Sequence, residues 1–119
     1  LDLCDRMGFL VWEESLGWGN NKQILGDKDF IKLQKEQAIH MIRRSINHPS
    51  VIIWGFLNEF DSCSQEGRNL CKELVDLIHS EDNSRPTTFA SRFSTSDECF
   101  DLVALIACNT YPGWATENA

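Results

Sequence analysis

No apolar run in this 119-residue chain approaches the ~20 residues that a membrane-spanning helix needs. Basic residues are scarce as well, 11 Lys and Arg against 18 Asp and Glu, and the resulting net charge of −7 speaks against a nucleic-acid or anionic-membrane surface. The five cysteines, Cys4, Cys63, Cys71, Cys99 and Cys108, are odd in number and never fall in a C-x-x-C spacing. They therefore suggest neither a zinc site nor a disulfide framework. His40, His48 and His79 are too scattered for a metal centre, and no metal site is expected. No repeat or low-complexity tract appears, and no signal-peptide pattern, although a piece from the middle of a longer protein would not show one. What remains is the composition of one small globular domain, 42% hydrophobic.

Helical and strand patterns alternate along the chain. Residues 1–7 predict the tail of a helix closed by Gly8 in a left-handed cap, and residues 9–12 a strand ending in Glu13 and Glu14. Three glycines and two asparagines make residues 16–28 a loop. Asp27 or Asp29 can cap the next helix, whose apolar face is read as Phe30, Leu33, Ala38, Met41, Ile42 and Ile46. Pro49 disfavours helical geometry in the residue before it and so ends that helix. Ser62 with Gln65 forms a candidate capping box, followed by an apolar stripe of Leu70, Cys71, Leu74, Val75 and Ile78. Residues 87–90 and 102–107 read as the last two strands. Cys71 on its stripe and Cys108 in its strand are expected to behave as small buried hydrophobes. Strands alternating with helices imply an α/β fold of parallel βαβ units. The pattern alone does not separate an open sheet from a closed barrel.

The most informative stretch is NHPSVIIWGFLNEF, residues 47–60. Its continuous apolar run, residues 51–54, predicts a strand covered on both faces, as in a parallel sheet. Asn58 and Glu59 then fall at the C-terminal end of that strand, where parallel α/β folds place their chemistry. An amide beside a carboxylic acid at such a place suits one group that orients a hydroxyl and one that transfers a proton. The plainer alternative is a helix cap or a surface ion pair.

This stretch resembles the signature of family 2 glycoside hydrolases, the β-galactosidases, β-glucuronidases and β-mannosidases. LDLCDRMGFLVWEES (residues 1–15), DNSRPTTFASR (82–92) and LVALIACNTYPGW (102–114) are similar to other segments of that family, in the same order. The resemblance implies a (β/α)8 TIM barrel, with this chain spanning approximately its third to sixth strands. It implies Glu59 as general acid/base, with Asn58 bonding the sugar 2-hydroxyl. Tyr111 would sit near the nucleophile, and Asn109 and Trp114 would line the sugar subsite with it. Trp54, Phe56 and Phe60 would desolvate Glu59, and a second carboxylate in the complete site would act with them. Arg44 and His48 are read as scaffold. Glu13 and Glu14 either bind substrate or pair with basic neighbours such as Arg92. Trp18, in the Gly-rich loop, has substrate within reach. No organic cofactor is implied. Magnesium or sodium serves some family members, without identifiable ligands here.

A barrel of this kind needs roughly 250 residues, so residues 1–119 read as a partial TIM-barrel catalytic domain, inactive by itself. The family nucleophile, a glutamate on the seventh strand, is missing from this sequence; Glu117, the one acid after Tyr111, has no strand context. The resulting expectation is a retaining exo-β-glycosidase for terminal β-galactosides or β-glucuronides, its nucleophile outside this chain. Its partner is a carbohydrate, with neither nucleic acid nor membrane. Two alternatives stand beside it: a non-catalytic α/β carbohydrate-binding or interaction module, and another barrel glycosidase whose fourth strand ends in Asn-Glu.

Overall fold

The computed structural model describes residues 1–114, so Glu117 lies outside the described residues. A short helix α1 (Asp2–Met7) ends at Gly8, whose φ of 74° gives the left-handed cap. Strand β1 (Val11–Glu14) follows, then a short helix α2 (Lys22–Leu25) and a long one, α3 (Lys28–Ser45). Strand β2 (Val51–Gly55) leads through the turn at Asn58 and Glu59 into α4 (Gln65–Glu81). Two short strands, β3 (Thr87–Thr88) and β4 (Ala90–Ser91), come next, and β5 (Ala107–Cys108) ends the series. β1, β2 and β3 pair in that order, all parallel, and β4 pairs parallel with β5. Helices thus connect parallel strands, as the alternating pattern predicts.

The sheet packs against α3 and α4 through a core of aromatic and branched side chains. Trp54, Phe56, Phe60 and Phe89 are all fully buried. Each removes area from water that stabilises the fold by about 1.5–3 kcal/mol relative to an exposed ring. Phe89, between β3 and β4, is the hub: its ring meets Phe60 edge-on at 4.9 Å and stacks on Phe100 at 5.8 Å. All five residues of the α4 stripe are buried. On α3, Ala38, Met41 and Ile42 of the expected face are buried and Phe30 and Ile46 pack against the core, joined by the buried Gln34 and Ser45; of the six expected residues Leu33 is exposed, at 49%.

Other local expectations shift for identifiable reasons. β1 starts at Val11 and contains Glu13 and Glu14, since its pairing runs alongside β2 as far as Gly55. The Gly-rich loop holds α2, capped by Asn21, whose side chain accepts from the Ile24 amide. Ser64, not Ser62, caps α4, because Ser62 spends its hydroxyl on Asp97. Residues 102–107 form no continuous strand. Thr87 O accepts the amides of both Ala104 and Leu105, and Thr88 Oγ1 donates to Leu105 O at 2.8 Å. The chain there crosses the end of β3 and pairs with β4 only at residues 107 and 108. Cys108 is consequently exposed and no core residue, while Cys71 and Cys99 are buried; all five cysteines are free thiols.

At the N-terminal ends of the strands Arg85 clamps three elements. Its Nη1 donates to Asp82 at 2.7 Å, its Nε to Val51 O at 2.6 Å and its Nη2 to Ile46 O at 2.9 Å. The Trp54 indole N–H donates to the same Asp82 oxygen at 2.8 Å. Burial would push the Asp82 carboxyl up, but the donors from Ser84, Trp54 and Arg85 outweigh it and hold it well below the usual range. Nearby, Asp5 accepts from His48 Nδ1 at 2.7 Å and from the Ser50 amide at 2.9 Å, tying α1 to the start of β2. Hydrogen bonds from Ser50 and His48 bring the Asp5 carboxyl down to about 2.

Removing one partner of a buried ion pair leaves the other uncompensated. Arg85→Ala is therefore expected to cost about 3–5 kcal/mol, measured by chemical denaturation of the protein; a loss below about 1 kcal/mol would contradict the clamp. Phe9, Leu10, Leu16 and Ile106 are exposed beside β1 and β5. Those strand edges and apolar side chains invite pairing, so the 119-residue chain alone is expected to self-associate. A concentration-independent, monomeric melt in analytical ultracentrifugation and calorimetry would overturn this.

Candidate active site

Glu59 sits where β2 has ended and the backbone turns. The turn uses left-handed geometry at two side-chain-bearing residues, Leu57 with φ of 47° and Glu59 with φ of 54°. Such residues cost about 1–3 kcal/mol each unless the surroundings fix them. Backbone bonds do so here: Asn58 N donates to Gly17 O, and Gly19 N donates to Asn58 O, each at 2.9 Å. Glu59 N donates to Ala90 O at 2.9 Å. Below the turn, Gly55 lies against the Trp12 indole, and a Cβ at that position would fall 1.9 Å from Trp12 Nε1. Only glycine fits there.

Three donors from two other strand ends converge on the Glu59 carboxylate. Asn109, directly after β5 and anchored by its amide to Ser91 O, donates Nδ2 to Glu59 Oε1 at 2.8 Å. The same Nδ2 donates to Asn58 Oδ1 at 2.9 Å, so both of its protons are used. The Tyr111 hydroxyl donates to Oε1 at 3.1 Å, and the Trp18 indole N–H to Oε2 at 3.2 Å. With Asn58 Oδ1 accepting, the NH₂ group is the donor left on that side chain. The hydrogen bond to Glu59, then desolvation and the carboxylate's charge, push the Tyr111 hydroxyl above its ordinary value. Trp18, Glu59, Tyr111 and Trp114 line an open groove of about 290 Å³, with Trp114 90% exposed.

The chain matches known proteins over nearly its whole length. The family described as glycosyl hydrolases family 2, TIM barrel domain, matches residues 1–119. The chain belongs to glycoside hydrolase family 2. A β-glucuronidase of Bacteroides fragilis is 35% identical over 117 residues, covering 95% of this chain and 16% of that protein. A β-galactosidase of Thermoanaerobacter pseudethanolicus is 40% identical over 103 residues, covering 86% of this chain and 13% of that protein. Among solved structures, a family 2 β-galacturonidase from Eisenbergiella tayi bound to galacturonate superposes with a TM-score of 0.94. It is 36% identical, with 98% of this chain and 21% of that one covered. The chain thus spans about one-sixth of the glucuronidase's length. Its parallel strands are consecutive strands of a TIM barrel, whose chemistry lies at the C-terminal strand ends.

Within that family fold, all five sequence-derived site residues, Asn58, Glu59, Asn109, Tyr111 and Trp114, cluster around one carboxylate or its groove. Tyr111, expected beside a nucleophile, binds Glu59 in this structure. The hydrogen bond from Trp18 was not foreseen. Its signal was a lone indole flanked by two glycines in a loop facing the site. Glu13 pairs with Arg44 at 2.6 Å and with Ser45 at 3.0 Å, not with Arg92, which stacks over Phe93 at 4.9 Å. Arg44 and His48 serve as scaffold, as read. A larger groove of about 460 Å³, lined by Glu14, Leu16, His40 and Arg44 among others, opens beside β1. It holds none of the groups around Glu59. Among the described residues one set of side chains converges with metal-ligand geometry, Asp2, Asp5 and His48. It lies at the opposite end of β2 from Glu59, and Asp5 is already engaged by His48 and Ser50.

The Tyr111–Glu59 bond predicts a pH signature. A group raised in the folded state contributes stability in full below its unfolded value, ~10, and loses it as pH rises through the folded one. The difference in melting temperature between wild type and Tyr111→Phe is expected to be constant from pH 7 to 9 and to shrink above about 10. A difference that stayed flat to pH 11 would argue against the bond.

Proposed function

We propose that the protein carrying this segment is a retaining exo-β-glycosidase, with residues 1–119 as part of its catalytic barrel. Its substrates are terminal β-glucuronides or β-galactosides. The observation that carries the reading is one carboxylate at a strand end, gripped by Asn109, Tyr111 and Trp18 beside the Asn58 amide that Asn109 also holds. Of the relatives named above, two are named for uronides and one for galactosides, which favours a uronic-acid glycone.

In the first step Glu59 donates its proton to the glycosidic oxygen while a carboxylate outside these residues bonds the anomeric carbon. In the second, Glu59 takes a proton from the water that cleaves the glycosyl-enzyme. Asn58 donates to the sugar 2-hydroxyl, a contact that strengthens as positive charge develops on the ring. Asn109 holds Asn58 and Glu59 at a fixed spacing through one nitrogen, and Tyr111 keeps the carboxylate from rotating. The Trp114 indole offers a face for the sugar ring.

Glu59→Gln keeps the shape but removes the proton. With a dinitrophenyl glycoside, whose leaving group needs little protonation, glycosylation should survive and deglycosylation should lose its base. A burst of phenol, then turnover slowed on the order of 10²–10⁴-fold, is expected, with azide restoring the rate. Glycosides with poor leaving groups should be hit harder. Equal slowing of both substrate types, with no burst and no rescue, would overturn the acid/base role. A wild-type protein inert toward every aryl β-glycoside would favour a non-catalytic binding module.

A further inference from the structure

The two oxygens of Glu59 are not equivalent. Oε1 accepts two donors, Asn109 Nδ2 at 2.8 Å and the Tyr111 hydroxyl at 3.1 Å, whereas among the described residues Oε2 meets only the Trp18 indole N–H, at 3.2 Å. When a carboxyl group is protonated, the proton settles on the oxygen facing fewer donors, since the other keeps the stronger acceptor character. The transferable proton is therefore on Oε2, and the glycosidic oxygen must approach from the Trp18 side. Asn58, Asn109 and Tyr111 lie toward Oε1 and take the sugar on that side. The leaving group is left to extend along the indole.

Trp18 is built to stand there. Its side chain is 71% exposed, yet its backbone is fixed. Gly17 and Gly19 on either side are each bonded to Asn58, and Asp61 N donates to Asn20 O at 2.9 Å. Gly17 has φ of 152°, and a Cβ there would fall 2.9 Å from Leu57 Cδ2, so the loop closes tightly onto the turn that bears Glu59. An exposed indole on a pinned loop, facing a groove of about 290 Å³, presents a flat apolar face at little entropic cost.

We infer that Trp18 forms the leaving-group wall of the site, carrying a flat aglycone on its ring while its N–H positions Glu59 Oε2. The inference rests on the acid/base reading of Glu59. In the step concerned, the O–H bond of Oε2 breaks and a new one forms on the glycosidic oxygen, which keeps the electron pair of the cleaved bond to the anomeric carbon. That carbon bonds to the nucleophilic carboxylate, and Glu59 is left an anion. The Trp18 N–H gains strength as negative charge appears on Oε2, so it favours the transition state over the bound substrate.

Trp18→Phe keeps a ring and deletes the N–H; Trp18→Ala deletes both. Both are assayed in the complete protein with three substrates of one sugar, β-glucuronides or β-galactosides as the wild type prefers. The fluoride needs neither wall nor proton, the 2,4-dinitrophenyl glycoside needs the wall, and the 4-methylphenyl glycoside needs both. Trp18→Ala should raise KM and cut kcat/KM about 10-fold or more on both aryl substrates and leave the fluoride within about 2-fold. Trp18→Phe should spare the fluoride and the dinitrophenyl glycoside and lose about 10-fold in kcat on the methylphenyl glycoside. Melting curves verify folding, and if Trp18→Ala is unfolded the Phe variant decides alone. Equal losses on all three substrates, or none, would overturn the inference. Glu59→Gln measured alongside separates the two readings: without its burst and azide rescue the acid/base role fails, and with them only the role of Trp18 does.

Discussion

The left-handed turn from Leu57 to Glu59 is the constraint on which the site depends. An ordinary extended continuation of β2 would carry the chain on past the neighbouring strand ends. The two positive φ angles instead fold it back between Gly17 and Ala90, where three backbone bonds hold it. The strain and its restraints belong together. The bonds to Gly17 and Ala90 come from both neighbouring strand connections, so the turn is locked only when β1, β2 and β4 are in register. The placement of the Glu59 carboxylate is thus a property of the sheet and not of the side chain alone.

The two ends of the strands divide the work. At the N-terminal end, Arg85, Asp82 and Trp54 form a buried, fully engaged polar cluster, with Asp5 and His48 close by. These groups tie helices to strands. At the C-terminal end the polar groups surround an open groove and keep spare capacity, as the Asn58 amide nitrogen does among the described residues. Trp54 belongs to the first end and Glu59 to the second, five residues apart on one segment. The strand between them transmits position from the scaffold to the chemistry.

Much of this was legible in the sequence, for reasons that differ by residue. The apolar run before Asn58 and Glu59 marked a strand and its end, but not cover on both faces, since Ile52 is exposed among the described residues. The α4 stripe was read correctly because every buried position on it is apolar. On α3 five of the six apolar positions lie in or against the core, but Leu33 is exposed while the buried Gln34 beside it carries no apolar signal. Residues 102–107 look like a strand but are held by Thr87 and Thr88, contacts that no local pattern encodes. Ser62 lost its capping role to a bond with Asp97, 35 residues away. Asn109 and Tyr111 were named as site residues by family resemblance; their attachment to the Glu59 carboxylate, and that of Trp18, needed the fold.

The donors to Glu59 are separated from it along the chain by 41 residues for Trp18, 50 for Asn109 and 52 for Tyr111. None of these contacts can form until strands distant in sequence have paired, and loop-closure entropy opposes each of them. Helices α3 and α4 rest on local contacts, whereas the three donors reach Glu59 only when the strand ends of β1, β2 and β5 stand side by side. The carboxylate's surroundings are therefore a product of the tertiary fold alone, and no single stretch of the chain carries them.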